Sequence, residues 1–180
     1  MPGTPTLPGV LIWINGTFGA GKTTTARSLV EQRPALRLFD PEWVGYMLTS
    51  NLQGIAIDDF QDLAAWRQLV PVVARHLTEI SGQHLVAVQT VLSEAYWHEL
   101  RGGLAAEGLE VFHVVLDADP DTLRARILAD AEERSAQEWR LDHLPLYAAS
   151  RAWLLDAADL VVDTASLGPD AVARAIADAY

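Results

Sequence analysis

Residues Gly16-Thr17-Phe18-Gly19-Ala20-Gly21-Lys22-Thr23 follow the spacing G-x-x-x-x-G-K-[ST] throughout. Few octapeptides restrict a fold as tightly, because the loop needs a strand before it and a helix after it. Both flanks are present. Val10-Leu11-Ile12-Trp13-Ile14 is a short apolar run of buried-strand type, and Thr24 to Glu31 reads as a helix. Strand, loop and helix together aim successive backbone N–H groups, and the positive end of a helix dipole, at a polyphosphate. Lys22 is expected to reach the β- and γ-phosphates, and the Thr23 hydroxyl to ligate Mg²⁺. The expected cofactor-binding residues are therefore Gly16, Phe18, Gly19, Ala20, Gly21, Lys22, Thr23 and Thr24, with ATP and Mg²⁺ as cofactors.

Composition narrows the partners. The 180 residues are expected to form one domain, and a net charge of −11 opposes sequence-independent binding to nucleic acid or to an anionic membrane surface. Cysteine is absent, which excludes disulfides and thiolate chemistry. Met1 to Pro8 does not read as a signal peptide, and no apolar run approaches the roughly 20 residues of a spanning helix. A cytoplasmic ATP user without stable membrane insertion is the expectation.

Strands and helices alternate along the chain. After the first pair, Leu36 to Phe39 reads as a strand ending at Asp40, which caps a helix with Pro41 at its first position. Asp58 to Ser81 reads as one long helix with Leu63, Trp66, Leu69, Val70, Val73 and Leu77 on one face, kinked or split at Pro71. Strands follow at His84–Gln89, Glu110–Leu116 and Asp159–Val162. Helices begin at Ser93, at Asp119-Pro120 (running towards Arg134) and at Pro169. Such alternation implies an α/β fold, a parallel sheet with helices on both faces. Ligands then sit outside the carboxyl ends of the strands, which singles out the phosphate loop, Asp40, Gln89, Thr90 and Asp117.

Asp40 is a candidate acceptor of a proton from a substrate hydroxyl, in competition with its role as a helix cap. Gln89 stands where a metal-holding carboxylate is usual in such loops, so magnesium is expected to rely on Thr23, the phosphates and water. Arg124, Arg126, Arg134 and Arg140 lie on a helix and the polar segment after it. Arg126 and Arg134 are the candidates for closing on a transferring phosphoryl group, against a bland alternative of a charged surface with Glu132, Glu133 and Glu138 as local partners. Trp43, Tyr46 and Trp66 could line an apolar acceptor pocket with Gln89, although core packing is the stronger expectation for Trp66. Arg67 and Arg101 could reach an anionic acceptor, or be solvated surface charges. Asp163 to Ser166 is a candidate loop beside the base. The five histidines lack metal-ligand spacing.

Three segments carry a family resemblance: Ile12 to Ala26, Phe39 to Leu48, and Asp59 to Asp62 with Trp66. In these the chain resembles the nucleotide- and small-molecule-kinase branch of the P-loop superfamily, and within it the tunicamycin-resistance proteins. The resemblance covers roughly the first half of the chain. It implies a three-layer kinase-like fold with strand order 2-3-1-4-5, ATP and Mg²⁺ at the loop, a helical lid over about 126–145, and resistance to a nucleoside antibiotic. Asp130 occupies the place of a second lid arginine after Arg126-Ile127. A family association with membranes through an amphipathic C-terminal helix is opposed here by a tail that is short and acidic.

Overall fold

A computed structural model describes residues 9–131 and 134–180, so Met1 to Pro8 and the pair Glu132 and Glu133 lie outside the described residues. Five strands are β1 (Gly9–Asn15), β2 (Leu36–Phe39), β3 (His84–Val88), β4 (Leu109–Asp117) and β5 (Leu160–Asp163). They form one parallel sheet in the order β2-β3-β1-β4-β5, the order expected. β1 sits at the centre, with Leu11 opposite both Leu85 and Val111, and Asn15 opposite Val115.

The helices are α1 (Lys22–Gln32), α2 (Glu42–Ser50), α3 (Ala64–Ser81), α4 (Glu94–Ala106), α5 (Pro120–Ala129), α6 (Gln137–Asp156) and α7 (Pro169–Ala179). Alternation along β1 sorts the core into two layers. Ile12 and Ile14 face Ala26 and Leu29 of α1 and Val172, Ala173 and Ile176 of α7. Leu11 and Trp13 face Trp66, Val70 and Ala74 of α3 and Trp97, Leu100 and Leu104 of α4. Both faces of the sheet are covered, which is why β1 reads as an unbroken apolar run.

Three elements differ from expectation. The stretch from Asp58 breaks before α3: Asp59 Oδ1 accepts the Gln61 N–H at 2.8 Å, a 3₁₀ turn covers Phe60–Asp62, and Leu63 is extended. Pro71 neither ends nor splits α3. Its ring lies against Gly103 of α4, where a Cβ would come within 2.8 Å of the proline Cγ, so close packing offsets the missing hydrogen bond. α5 stops at Ala129 rather than near Arg134, because Asp130 is extended, and α6 follows as a separate 20-residue helix. Among the described residues no helix is long and apolar enough to cross a membrane. The apolar stripe of α7 is buried in the core against α1, and Ser28 donates to Asp170 Oδ1 at 2.6 Å.

Candidate nucleotide site

Positive φ angles of 79° at Gly19 and 89° at Gly21 bend the loop between β1 and α1. A Cβ at Gly19 would press on the Leu123 carbonyl oxygen at 2.8 Å, while Gly21 has open space and needs glycine for its conformation alone. Lys22 opens α1, and its Nζ donates to the Thr17 carbonyl at 2.9 Å. Burial pushes the Lys22 ammonium down to about 7, with Glu42 opposing the shift and Arg140 adding to it. A bound polyphosphate would favour the charged ammonium again. Thr23 and Thr24 are exposed in the first turn, at the mouth of the loop.

Among the described residues no cluster of three His, Cys, Asp or Glu is placed to hold a metal. Near the carboxyl end of β3, however, Gln89 Oε1 is buried without a hydrogen-bond partner, as is the Thr17 hydroxyl inside the loop. These orphaned hard oxygens, and the exposed Thr23 hydroxyl at the start of α1, are donors of the kind a magnesium ion that keeps most of its waters takes. Gln89 itself is 5% exposed, and its backbone carbonyl accepts the Trp13 indole N–H at 3.3 Å.

Asp40 caps α2 as expected, its Oδ1 accepting the Glu42 N–H at 2.9 Å, with the helix starting at Glu42. Glu42, which the sequence reading passed over, is the acid that acts on Lys22, and its Oε2 accepts the Tyr46 hydroxyl at 3.0 Å. The α2 start therefore lies within electrostatic reach of Lys22. Trp43 is 70% exposed and meets Tyr46 edge-on at 5.8 Å; Tyr46 continues to Phe60 and Phe60 to Trp66. Trp66 is completely buried and its indole N–H donates to the Pro41 carbonyl at 3.0 Å, so it holds α2 from beneath rather than lining a pocket. Gln61 Nε2 donates to the Thr90 carbonyl at 3.0 Å, and the Thr90 hydroxyl donates to the Gly16 carbonyl at 2.8 Å, tying this side to the loop.

On the opposite side, Arg126 donates to the Gly19 carbonyl at 3.3 Å and to the Thr164 hydroxyl and carbonyl at 3.0 and 2.6 Å. It thus joins the phosphate loop to the segment after β5. Arg134 lies in an exposed 3₁₀ turn, and nothing among the described residues ties it to the loop. Arg140 is the arginine brought there instead. It stands 5.7 Å from the Phe18 ring and pairs with Asp130 at 2.8 Å, on the helix turn that lays Trp139 and His143 edge-on against Phe18.

The remaining arginines stand elsewhere. Arg67 is buried, bound to Glu99 at 2.6 Å and to the Gln61 carbonyl, and stacked 4.1 Å from Tyr96; it is a structural cation rather than a surface or acceptor one. Arg101 pairs with Asp159 at 3.9 Å, just before edge strand β5, whereas Asp40 follows β2 at the other edge. The structure does not bring Arg101 to the acceptor side. Arg124 lines a groove of about 700 Å³ between α5 and α6. On that groove's floor Asp117 is held by Arg151 at 2.5 Å and the Tyr147 hydroxyl at 2.6 Å.

Residues 11–154 match the family described as an AAA domain. The chain belongs to that family, among the kinase-like P-loop NTPases. A nucleotide-binding protein of Nocardioides sp. is 30% identical over 179 residues, which is 96% of this chain and 51% of that protein; the chain spans about half the length of this curated relative. The structure of the tunicamycin resistance protein of Deinococcus radiodurans is similar with a TM-score of 0.74 at 29% identity, covering 94% of both chains. Shikimate kinase from Acinetobacter baumannii shares the fold with a TM-score of 0.61 at 20% identity, over 96% of this chain and 93% of that one. Nucleotide binding at the P-loop thus rests on both motif and fold.

Sequence reasoning missed some of this P-loop surround. Glu42 was legible as an acid in the first turn of α2, but its neighbour Asp40 drew the assignment. Trp139 and His143 are four residues apart and share a helix face, a signal available only once α6 is recognised as a helix.

Proposed function

We propose that the chain is an ATP-dependent phosphotransferase acting in the cytoplasm on a hydroxyl of tunicamycin or a related nucleoside or sugar. The supporting observation is the acidic start of α2, where Glu42 lies within electrostatic reach of Lys22 and Asp40 accepts the Glu42 N–H. A single unit of residues 1–180 carries the reaction, with about 126–145 as the lid. Lys22 and the loop N–H groups hold the β- and γ-phosphates, while Arg126 and Arg140 meet charge on the transferring oxygens. Asp40 takes the proton from the acceptor hydroxyl as its oxygen attacks the γ-phosphorus; the bond to the β-phosphate oxygen breaks and ADP leaves. Trp43 and Tyr46, exposed beside Asp40, hold the apolar part of the acceptor. Thr23, with water, would hold a magnesium ion, which would supply neutralising charge at the phosphates. The resemblance to the Deinococcus protein supports the choice of acceptor.

A second reading is ATP-dependent capture of the drug without chemistry. Gln89 in place of a metal-holding carboxylate fits it as well as it fits the first reading. ADP release measured with and without tunicamycin separates the two readings. The phosphotransferase shows drug-dependent release that falls by roughly 100-fold or more in Asp40→Asn, by the usual worth of a positioned base. Drug-independent release, or the same rate in the variant, removes Asp40 from the chemistry.

A further inference from the structure

Asn15 ends β1 directly before the phosphate loop and is completely buried. Its amide is fully used. Oδ1 accepts the N–H groups of Gly16 at 2.8 Å and Val91 at 3.0 Å, and Nδ2 donates to the Val91 carbonyl at 3.1 Å. Backbone N–H groups only donate, so this orientation is forced, and the second Nδ2 hydrogen is left for His113 Nε2 at 3.5 Å. The other imidazole nitrogen, Nδ1, is 3.0 Å from the Ala157 carbonyl, which only accepts. Two partners therefore dictate one tautomer: hydrogen on Nδ1 and a lone pair on Nε2.

We infer that His113 is a positioning residue for the phosphate loop, pairing the last hydrogen of the Asn15 amide and so securing the orientation that fixes Gly16. It stands between the C-terminal end of α6, whose first turns lie over Phe18, and the start of the loop. The ring is completely buried and stacks on Trp97 of α4 at 4.0 Å. The charged groups around it are Asp159, whose carboxylate accepts the His113 N–H at 2.7 Å, and Arg101 of α4, which pairs with Asp159. Burial pushes the imidazole down to about 4, against the Ala157 carbonyl and Asp159 and with Arg101. At neutral pH the accepting tautomer is thus retained. Protonation would set a donor against the Asn15 donor and loosen its hold on Gly16.

The test is the affinity for Mg–ATP between pH 4 and 8, read with a fluorescent ATP analogue, in wild type, His113→Phe and His113→Gln. His113→Phe keeps the stacking volume but leaves a buried Asn15 hydrogen unpaired, and should weaken binding roughly 10-fold at neutral pH. His113→Gln keeps an acceptor that cannot titrate. It should bind within about threefold of wild type at neutral pH and lack the extra acid weakening that protonation of His113 should add to wild type near pH 4. Imidazole ¹⁵N shifts should report hydrogen on Nδ1. The inference is overturned by wild-type affinity in folded His113→Phe, by an acid limb in His113→Gln as steep as that of wild type, or by hydrogen on Nε2. If His113→Phe does not fold, the His113→Gln profile and the tautomer still decide. The readout is nucleotide binding, so the result is independent of the acceptor.

Discussion

Lys22 is the residue whose surroundings change its chemistry most. With its ammonium pushed down to about 7 in the free protein, much of it is neutral at pH 8, and a bound polyphosphate restores the charge. Nucleotide binding should therefore take up a proton at pH 8, and affinity should fall as pH rises above about 7. Calorimetry in buffers of different ionisation enthalpy measures that uptake; binding without proton uptake would mean that the lysine is already charged. The free protein's stability runs the other way. Unfolding returns Lys22 towards 10.5, so the unfolded chain binds more protons between about pH 7 and 10.5, and this residue's contribution to stability rises with pH across that window. Lys22, Thr23 and the glycines were legible because their motif is local. Asn15 and His113 were not, since their contact joins residues 98 apart and only the β1–β4 register brings them together.

At the level of elements, α2 depends on what lies beneath it. Trp66 is completely buried and bonds to Pro41, so Trp66→Ala should cost about 3–5 kcal/mol in denaturant unfolding. Trp66→Phe, which loses mainly the hydrogen bond, should cost about 1–2 kcal/mol. Equal losses in the two variants would show that burial of the ring contributes nothing beyond the bond to Pro41. The first turns of α6 rest on Phe18 through Trp139 and His143. Trp139→Ala should raise hydrogen exchange over residues 137–143 while leaving β1 and β4 protected. Strands β1 to β4 were legible from their apolar runs to within a residue or so at each end. α6 was not: Pro145 interrupts its pattern, and its apolar residues point several ways, with Trp139 and Leu146 exposed while Tyr147 and Leu154 are buried. The break at Leu63 was hidden because Asp59 offers a cap that competes with a continuous helix.

Across the whole molecule, alternation of strands and helices gave the layers, whereas the strand order came from the resemblance; spacing alone carries no order. The docked α7 sets an expectation for membranes. Its apolar residues Val172, Ala173 and Ile176 are already in the core and the chain carries a net charge of −11, so the protein should not float with anionic vesicles at physiological salt. Flotation would mean that α7 leaves α1. Mass spectrometry of tunicamycin incubated with the protein, Mg²⁺ and ATP, with Lys22→Ala alongside, reads phosphoryl transfer itself. The drug should gain the mass of one phosphoryl group with wild type and none with the variant. Drug recovered unmodified after full incubation with active, nucleotide-binding protein would contradict phosphoryl transfer to this acceptor.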